Sequence, residues 1–328
     1  MVERLSVRVC LPADHRRVTL EHDLRTGLAR RPKTLSPLWF YDERGSALFD
    51  RITRLPEYYL TRAERSILDV AAGEIVGAAG CDQLVELGSG TSEKTRLLLD
   101  AMSDAGRLRR FVPLDVSEAT LREAAADISR SYGIAVHAVV GDFHQHLDCI
   151  PADGNRLVAF LGSTIGNLDP GERSAFLRAL AATLGPGDRL LLGTDLVKDP
   201  GRLLAAYDDR AGVTAEFNRN MLRVLNAEAG GDFDPDQFDH LAVWDEASHW
   251  IEMRLRSRSP QTVRLARFGL EVSFREGEDL RTEISSKFTA EQVEMELWGA
   301  GLAVEQTWTD PDKDFQLSLS RLAGQGRS

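Results

Sequence analysis

The sequence predicts an α/β fold, a doubly wound and mostly parallel sheet, with a second, α+β domain inserted before the last helix and hairpin. Three observations carry this. Between residues 62 and 196, short apolar runs alternate with helix-length amphipathic segments. After residue 196 the rhythm changes to two helix-like stretches followed by strict period-two alternation. From Phe288 a helical stretch and two strand-like stretches return, the last two joined by the turn "PDKD".

Each element has its own signal. Segment 62–79, "RAERSILDVAAGEIVGAA", places Ile67, Leu68, Ala71, Ala72, Ile75 and Val76 at helical spacing and stops at Gly80. Five apolar runs follow: "QLVELGSG" (83–90), "FVPLDVS" (111–117), "VHAVVGDF" (136–143), "RLVAFLGST" (156–164) and "RLLLGTDL" (189–196). They are nearly continuous rather than alternating, as expected of strands buried on both faces. "SEATLREAAADIS" (117–129) and "PGERSAFLRALAATL" (170–184) supply connecting helices, so the region reads as repeated β and α units. Stretches 200–211 and 213–228 read as helices, and "AGGDFDPDQ" as a turn-rich break. Ile251, Met253 and Leu255 then alternate with polar residues, as do Leu270, Val272 and Phe274. That is antiparallel material with one buried face. "TAEQVEMELWGAG" (289–301), "LAVEQTWTD" and "FQLSLSRL" close the chain as helix and hairpin, the way Rossmann-like methyltransferases finish their sheet. The expected division is 62–195 with 288–328 as one domain, and 1–61 with 196–287 as the other.

Composition narrows the function. The 328 residues carry a formal net charge of −11, with 43% hydrophobic and 28% charged residues. This is a globular protein with a full core. Its acidic excess works against binding a phosphate backbone. The basic spots "RLRR" (107–110) and "RLRSRS" (254–259) have no repeating pattern and read as solvated faces. Cys10, Cys81 and Cys149 are scattered without C-x-x-C spacing, so neither a disulfide nor structural zinc is expected, and a reducing compartment is. His144 and His146 in "DFHQH" offer only two ligands and read as a polar loop rather than a metal site. No secretory leader or membrane-length apolar run is visible, so a cytoplasmic location is expected.

The informative stretch is "LVELGSGTSEKTRLLL" (84–99), where a strand runs through Gly88 and Gly90 into a helix. Open α/β sheets bind ligands at such strand ends. A dinucleotide fingerprint requires a third glycine, but Glu93 stands there and would face the pyrophosphate unfavourably. Glu86 instead completes E-x-G-x-G, the pattern of S-adenosylmethionine (SAM) enzymes, whose ligand is a cationic sulfonium. Asp115 in "PLDV" ends the second strand, where a carboxylate can accept both ribose hydroxyls. In "GDF", Asp142 can take the adenine amino group and Phe143 can flank the ring. A strand-end aspartate can also be merely a helix cap, but three such residues at consecutive strand ends favour SAM. The sequence "GSTIGN" (162–167) replaces the N/D-P-P-Y/F segment common in nucleobase amine methyltransferases, which argues against a nucleic-acid substrate.

Longer motifs extend the reading. "PKTLSPLWFYDERGSALFDRITRLPEYYLTRAE" (32–64), "LVELGSGTSEKTRLLLDAM", "FLGSTIGNL", "LLLGTDLVKD" and "AYDDRAGVTAEFNRN" together resemble the L-histidine Nα-methyltransferases of ergothioneine biosynthesis, in unbroken order from about residue 21 to 322. The resemblance implies a monomeric, SAM-dependent enzyme that converts histidine through mono- and dimethyl forms to the betaine hercynine. By motif it implies SAM contacts from Gly88, Lys94, Asp115, Asp142 and Phe143. It implies substrate contacts from Tyr58, Gly162, Asn167, Tyr207, Met253, Glu283 and Ser285, with Tyr41 lining the site near the amine. Leu60 stands where proline is expected and Ile284 where valine is, neither at a chemical position.

Physical chemistry agrees with the transfer. Glu283 and Ser285 are two apart on a strand and face one way, so a carboxylate and a hydroxyl can meet an imidazole. Tyr58 and Tyr207 offer phenolic donors to a carboxylate. Asn167 can accept from an ammonium group, or else serve as a helix cap before "LDPGE". Methyl transfer needs no metal or covalent residue, so Asn167 and Tyr41 are expected to orient the amine, without a strong general base. Three alternatives remain at this point: an N-methyltransferase of a tryptophan derivative, an NAD-dependent oxidoreductase, and a catalytically idle SAM-binding partner protein. Glu283, Glu93 and the intact tyrosine–asparagine–glutamate set argue against them in turn.

Overall fold

A computed structural model describes residues 4–90 and 92–324. The chain divides into two compact units: Met1–Leu11, Arg62–Leu196 and Phe288–Ser328 form one, and Pro12–Thr61 with Val197–Lys287 the other.

Among the described residues, the first unit holds an eight-stranded sheet. Its order is Leu5–Val9, Ala135–Val140, Arg110–Asp115, Gln83–Leu87, Arg156–Phe160, Arg189–Asp195, Phe315–Leu322 and Leu302–Thr309. The first six strands run parallel, and Phe315–Leu322 is antiparallel to both neighbours. The central strands Gln83–Leu87 and Arg156–Phe160 are buried at every residue, which is why their apolar runs are continuous. On one face Val85, Val112, Val158 and Leu190 pack with Phe176, Leu177 and Leu180 of the helix Pro170–Thr183, and with Val293 and Leu297 of the helix Ala290–Gly299. Each such side chain contributes about 1.5–3 kcal/mol by leaving water. Both helices open with a capping box, Asp169 with Glu172 and Thr289 with Gln292, which satisfies otherwise orphaned backbone donors. In the closing hairpin, the Asp310 carboxylate accepts the N–H groups of Asp312, Asp314 and Phe315 and so shapes the "PDKD" turn. The inserted segment leaves and re-enters this unit at paired positions, where Leu196 bridges Phe288.

Two expectations are corrected here. Residues 4–11 belong to this unit and not with the insertion, because Leu5–Val9 pairs in parallel with Ala135–Val140. An edge strand is only half buried, and the alternating "LSVRV" lacks the continuous apolar signature of its neighbours. Cys10 and Cys149 are also not isolated but disulfide-bonded across 139 residues. Cys10 continues the edge strand, its N–H donating to Val140 at 2.9 Å, and Cys149 ends the short helix Leu147–Cys149 beyond that same neighbour. Adjacency of two strands makes the pair, and spacing along the chain does not reveal it.

The second unit contains a four-stranded sheet, in the order Lys33–Thr34, Asp279–Ser286, Trp250–Ser257 and Phe238–Asp245, and a separate hairpin of Gln261–Leu265 with Leu270–Phe274. The helix Val213–Ala229 buries Phe217, Met221, Leu222 and Leu225. Phe40 lies 4.5 Å from Phe217, centroid to centroid. A buried polar network ties this helix to the sheet. Asn218 donates to His240 Nδ1 at 2.8 Å, Thr282 donates to Asn218 at 2.7 Å, and His240 Nε2 donates to the carbonyl of Tyr207 at 2.8 Å. The helix Pro200–Tyr207 is thereby anchored at its last residue. Arg254 and Arg256, in the basic stretch read as solvated, pair with Asp279 across the strand at 3.0 and 2.7 Å.

Candidate cofactor and substrate sites

The buried strand Gln83–Leu87 ends in a turn where Gly88 has φ +68° and Gly90 φ +49°. Side chains with a Cβ rarely adopt this left-handed region. The N–H groups of Gly88 and Ser89 both donate to the carbonyl of Leu114, at 2.8 and 3.2 Å, which pins the turn to the next strand. A Cβ built on Gly90 would meet nothing within 4 Å, so the backbone there is open to a ligand. Glu86 holds the turn from below. Its oxygens accept from Ser92 Oγ at 2.8 Å and from Thr95 Oγ1, joining strand, turn and the helix Thr95–Asp104. Burial pushes the Glu86 carboxyl up to about 7, against the pull of those two hydroxyls. Its role in E-x-G-x-G is to build the turn.

Asp115 reaches back to this turn. One oxygen accepts from Gly90 N–H at 2.9 Å and the other from Ser117 N–H at 2.8 Å. Burial raises its pKa, and the backbone donors offset part of that rise. Each carboxylate oxygen has a second lone pair, so two vicinal hydroxyls can still be accepted. On the adjacent strand end, Gly141 N–H donates to the Asp115 carbonyl at 2.9 Å, which sets Asp142 and Phe143 beside it. Asp142 spends one oxygen on His144 N–H at 2.8 Å. The Phe143 ring packs edge-on against Phe160 and Phe176, at 5.2 and 5.5 Å, and lies 3.8 Å from where a Gly88 Cβ would stand. Gly88, Asp115, Asp142 and Phe143 therefore converge on one strand-end surface. Ser89 Oγ, on the same turn, is buried without a hydrogen-bond partner among the described residues, as fits a site completed by a polar ligand.

Lys94 is joined to the other strand end through a residue the sequence reading missed. Glu64, fully buried on the helix Leu60–Ala79, pairs with the Lys94 ammonium and accepts from Gly162 N–H at 2.7 Å. A signal for it existed, since Glu64 stands three and four residues before Ile67 and Leu68 on the apolar stripe, where a charge is out of place. Asn167 ends the short helix Thr164–Asn167. The capping role that competed for it belongs to Asp169, whose carboxylate accepts from Gly171 and Glu172 N–H at 2.8 and 2.9 Å.

In the second unit, the sheet presents Met253 and Glu283 directly opposite each other on paired strands, just past an irregularity between Arg281 and Glu283. Ser285 follows on the same face and meets Tyr207, Oγ to Oη, at 2.7 Å. Lys287, another residue absent from the sequence reading, is 1% exposed and donates to both, at 2.9 Å to Tyr207 Oη and 2.7 Å to Ser285 Oγ. Burial pushes the Glu283 carboxyl up to about 7, and the Lys287 charge draws it back down. The Tyr58 ring lies 6.4 Å from that of Tyr207. Phe49 contacts both Tyr58, at 6.2 Å, and the half-exposed Tyr41, at 5.8 Å. The predicted substrate residues Tyr58, Tyr207, Met253, Glu283 and Ser285 thus gather in this unit, with Tyr41 at the edge of its aromatic cluster. Gly162 and Asn167 belong to the first unit.

The family model described as histidine-specific methyltransferase, SAM-dependent, matches residues 20–322. The histidine N-alpha-methyltransferase of Mycolicibacterium smegmatis is 58% identical over 317 residues, which span 96% of this chain and 99% of that one. The protein of the same name from Mycobacterium tuberculosis is 54% identical, across 97% of this chain and 99% of its own. Ergothioneine biosynthesis protein 1 of Neurospora crassa is 36% identical over 66% of this chain and 26% of its own length.

Proposed function

Because the chain belongs to the histidine-specific, SAM-dependent methyltransferase family, we propose that its first unit holds SAM and that its second supplies most of the contacts to histidine. The protein is a SAM-dependent N-methyltransferase acting on the α-nitrogen of histidine, in the ergothioneine pathway. Three successive transfers convert histidine to its betaine, hercynine. The reading includes a cytoplasmic monomer that engages small molecules and neither nucleic acid nor membrane. In support, the formal charge is −11, and among the described residues no helix is long and apolar enough to cross a membrane, whereas the Cys10–Cys149 bond removes the argument from cysteine use for a reducing compartment.

The cofactor residues are Gly88, Lys94, Asp115, Asp142 and Phe143. The open turn at Gly90, the acceptor capacity of Asp115 and the orphaned Ser89 hydroxyl suit a nucleoside carrying a polar tail. SAM, when bound, supplies an electrophilic methyl on a positively charged sulfur. The chain must then present a neutral amine in line with it, and positioning accounts for most of the rate. An α-amino group has a pKa of about 8 in peptides and a higher one in a free zwitterion, and deprotonating it costs about 1.4 kcal/mol per pH unit below that value. A weak acceptor is therefore enough. Asn167 and Tyr41 are assigned the orientation of the amine.

As methyl groups accumulate, the amine loses its N–H donors, so the substrate has to be held elsewhere. Tyr58 and Tyr207 are assigned its carboxylate, Glu283 and Ser285 its imidazole, Met253 the apolar wall opposite Glu283, and Gly162 a backbone contact. The observation that carries this assignment is the meeting of Tyr207 and Ser285 at 2.7 Å on the sheet face that also bears Glu283 and Met253. Its test is the split of kinetic constants. Asn167→Ala should lower kcat about 10- to 100-fold, as lost orientation does, while KM for histidine changes less than about threefold. A large KM change with kcat intact would remove Asn167 from the amine.

A further inference from the structure

The residues assigned to SAM lie on two sides of the glycine turn. In the sheet, Arg110–Asp115 and then Ala135–Val140 stand on one side of Gln83–Leu87, with Arg156–Phe160 and then Arg189–Asp195 on the other. Asp115, Asp142 and Phe143 end strands of the first side, so ribose and adenine belong there. The amino-acid tail of the cofactor must then run from the turn toward the second side. There the Lys94 ammonium lies 3.6 Å from where a Gly162 Cβ would stand, just past Arg156–Phe160. The Lys94 side chain is 26% exposed, and its ammonium pairs with the fully buried Glu64.

Glu64 is enclosed by this strand end. One oxygen pairs with Lys94, and the other accepts from Gly162 N–H at 2.7 Å. That second oxygen would lie 2.5 Å from a Cβ on Gly193, so the strand Arg189–Asp195 leaves room for the carboxylate by carrying glycine there. A carboxylate walled in this way does not reach a ligand itself, and whatever it does passes through its partners. An ammonium on a flexible four-carbon stem loses rotamer freedom when it is held in one place, and open water is the alternative. Because an ammonium has three donors, a lysine held by Glu64 can still donate to a second acceptor.

We propose that Glu64 is a positioning residue for the cofactor, holding the Lys94 ammonium where it meets the α-carboxylate of the SAM tail. The proposal rests on the reading that Lys94 contacts SAM. Two effects oppose each other. The Glu64 charge offsets that of Lys94 and weakens its pull on another carboxylate, while the pairing keeps the ammonium at the strand end. The tail carries an ammonium beside its carboxylate, so it gains little from a net positive surface, and placement decides.

Calorimetry with two ligands separates this role from a structural one. S-adenosylhomocysteine has the tail, whereas 5′-methylthioadenosine keeps adenine, ribose and sulfur without it. Lys94→Met should raise Kd for S-adenosylhomocysteine about 10- to 100-fold, the range for a lost charge-assisted bond. Glu64→Gln, which keeps an oxygen for Gly162 N–H, should raise it about 5- to 30-fold. Kd for 5′-methylthioadenosine should stay within about twofold in both, because the nucleoside side of the turn is untouched. In the Lys94→Met background, Glu64→Gln should add less than about twofold, because the group it places is gone. Equal weakening of both ligands would make Glu64 a structural residue and overturn the proposal. So would an unchanged or tighter Kd for S-adenosylhomocysteine in Glu64→Gln, the tighter value meaning that Glu64 competes with the tail for Lys94. If Lys94→Met keeps the wild-type Kd, the assignment of Lys94 to the cofactor itself fails, and the role of Glu64 falls with it. Lys94→Met strands a buried carboxylate. Should it not fold, as judged by thermal melting, Lys94→Gln keeps a donor for Glu64 without the charge and is read by the same criteria.

Discussion

Replacing Glu283 by alanine is expected to lower kcat/KM for histidine by about 10²- to 10³-fold, the cost of truncating one partner of a buried, charge-assisted hydrogen bond. The loss should fall on KM. Glu283 stands opposite Met253, half-buried, with burial raising its carboxyl to about 7. A ring N–H donated to it favours the ionised form, and binding and deprotonation therefore reinforce each other. Without the carboxylate, an imidazole N–H enters the site unpaired. The affinity for S-adenosylhomocysteine should be untouched, because Glu283 and the cluster around Asp115 belong to different units. Steady-state kinetics together with calorimetry on the one variant read both quantities. A wild-type KM in Glu283→Ala would remove it from the ring.

Asp115→Ala should weaken cofactor binding by about 2–4 kcal/mol, the worth of two charge-assisted bonds to a vicinal diol. The carboxylate also accepts from Gly90 and Ser117 N–H, so alanine unties the turn as well as removing a ligand contact. Asp115→Asn separates the two effects. Its side-chain oxygen can still take one backbone N–H, while the charge that strengthens the bonds to the ribose is gone. Titration with S-adenosylhomocysteine should rank wild type, asparagine and alanine in falling order of affinity, and KM for histidine at saturating SAM should stay near wild type. Equal affinity in all three would return Asp115 to a capping role at Ser117.

What the sequence shows of this protein depends on how each feature is encoded. The strands Gln83–Leu87 and Arg156–Phe160 are legible because every residue is buried, and a continuous apolar run has few other meanings. Leu5–Val9 escapes because an edge strand is half exposed and need not look different from a loop. The glycine turn, Asp115, Asp142 and Phe143 are legible as local patterns at strand ends, and the structure gathers them. Lys287 is not, since a charged residue reads as surface until a partner such as Tyr207, from a distant segment, is known, and Glu64 shows only as a charge misplaced on an apolar stripe, with Lys94 and Gly162 brought to it by the fold. The bond between Cys10 and Cys149 depends on which strands are neighbours, a property of topology rather than spacing. Asn167 and Asp169 are two residues apart and equally able to cap a helix by type, and only the backbone geometry gives the cap to Asp169.

The most direct test of the central claim is mass spectrometry of the purified protein incubated with SAM and, separately, histidine, phenylalanine and leucine, with fragmentation to place each added methyl group. A carboxylate set to receive a ring N–H should reject side chains without one by around 10⁴-fold. Histidine should therefore give mono-, di- and trimethyl products with every methyl on the α-nitrogen, and the other two amino acids should give none. Methylation of phenylalanine at a comparable rate, or methyl groups on the imidazole ring of histidine, would contradict it.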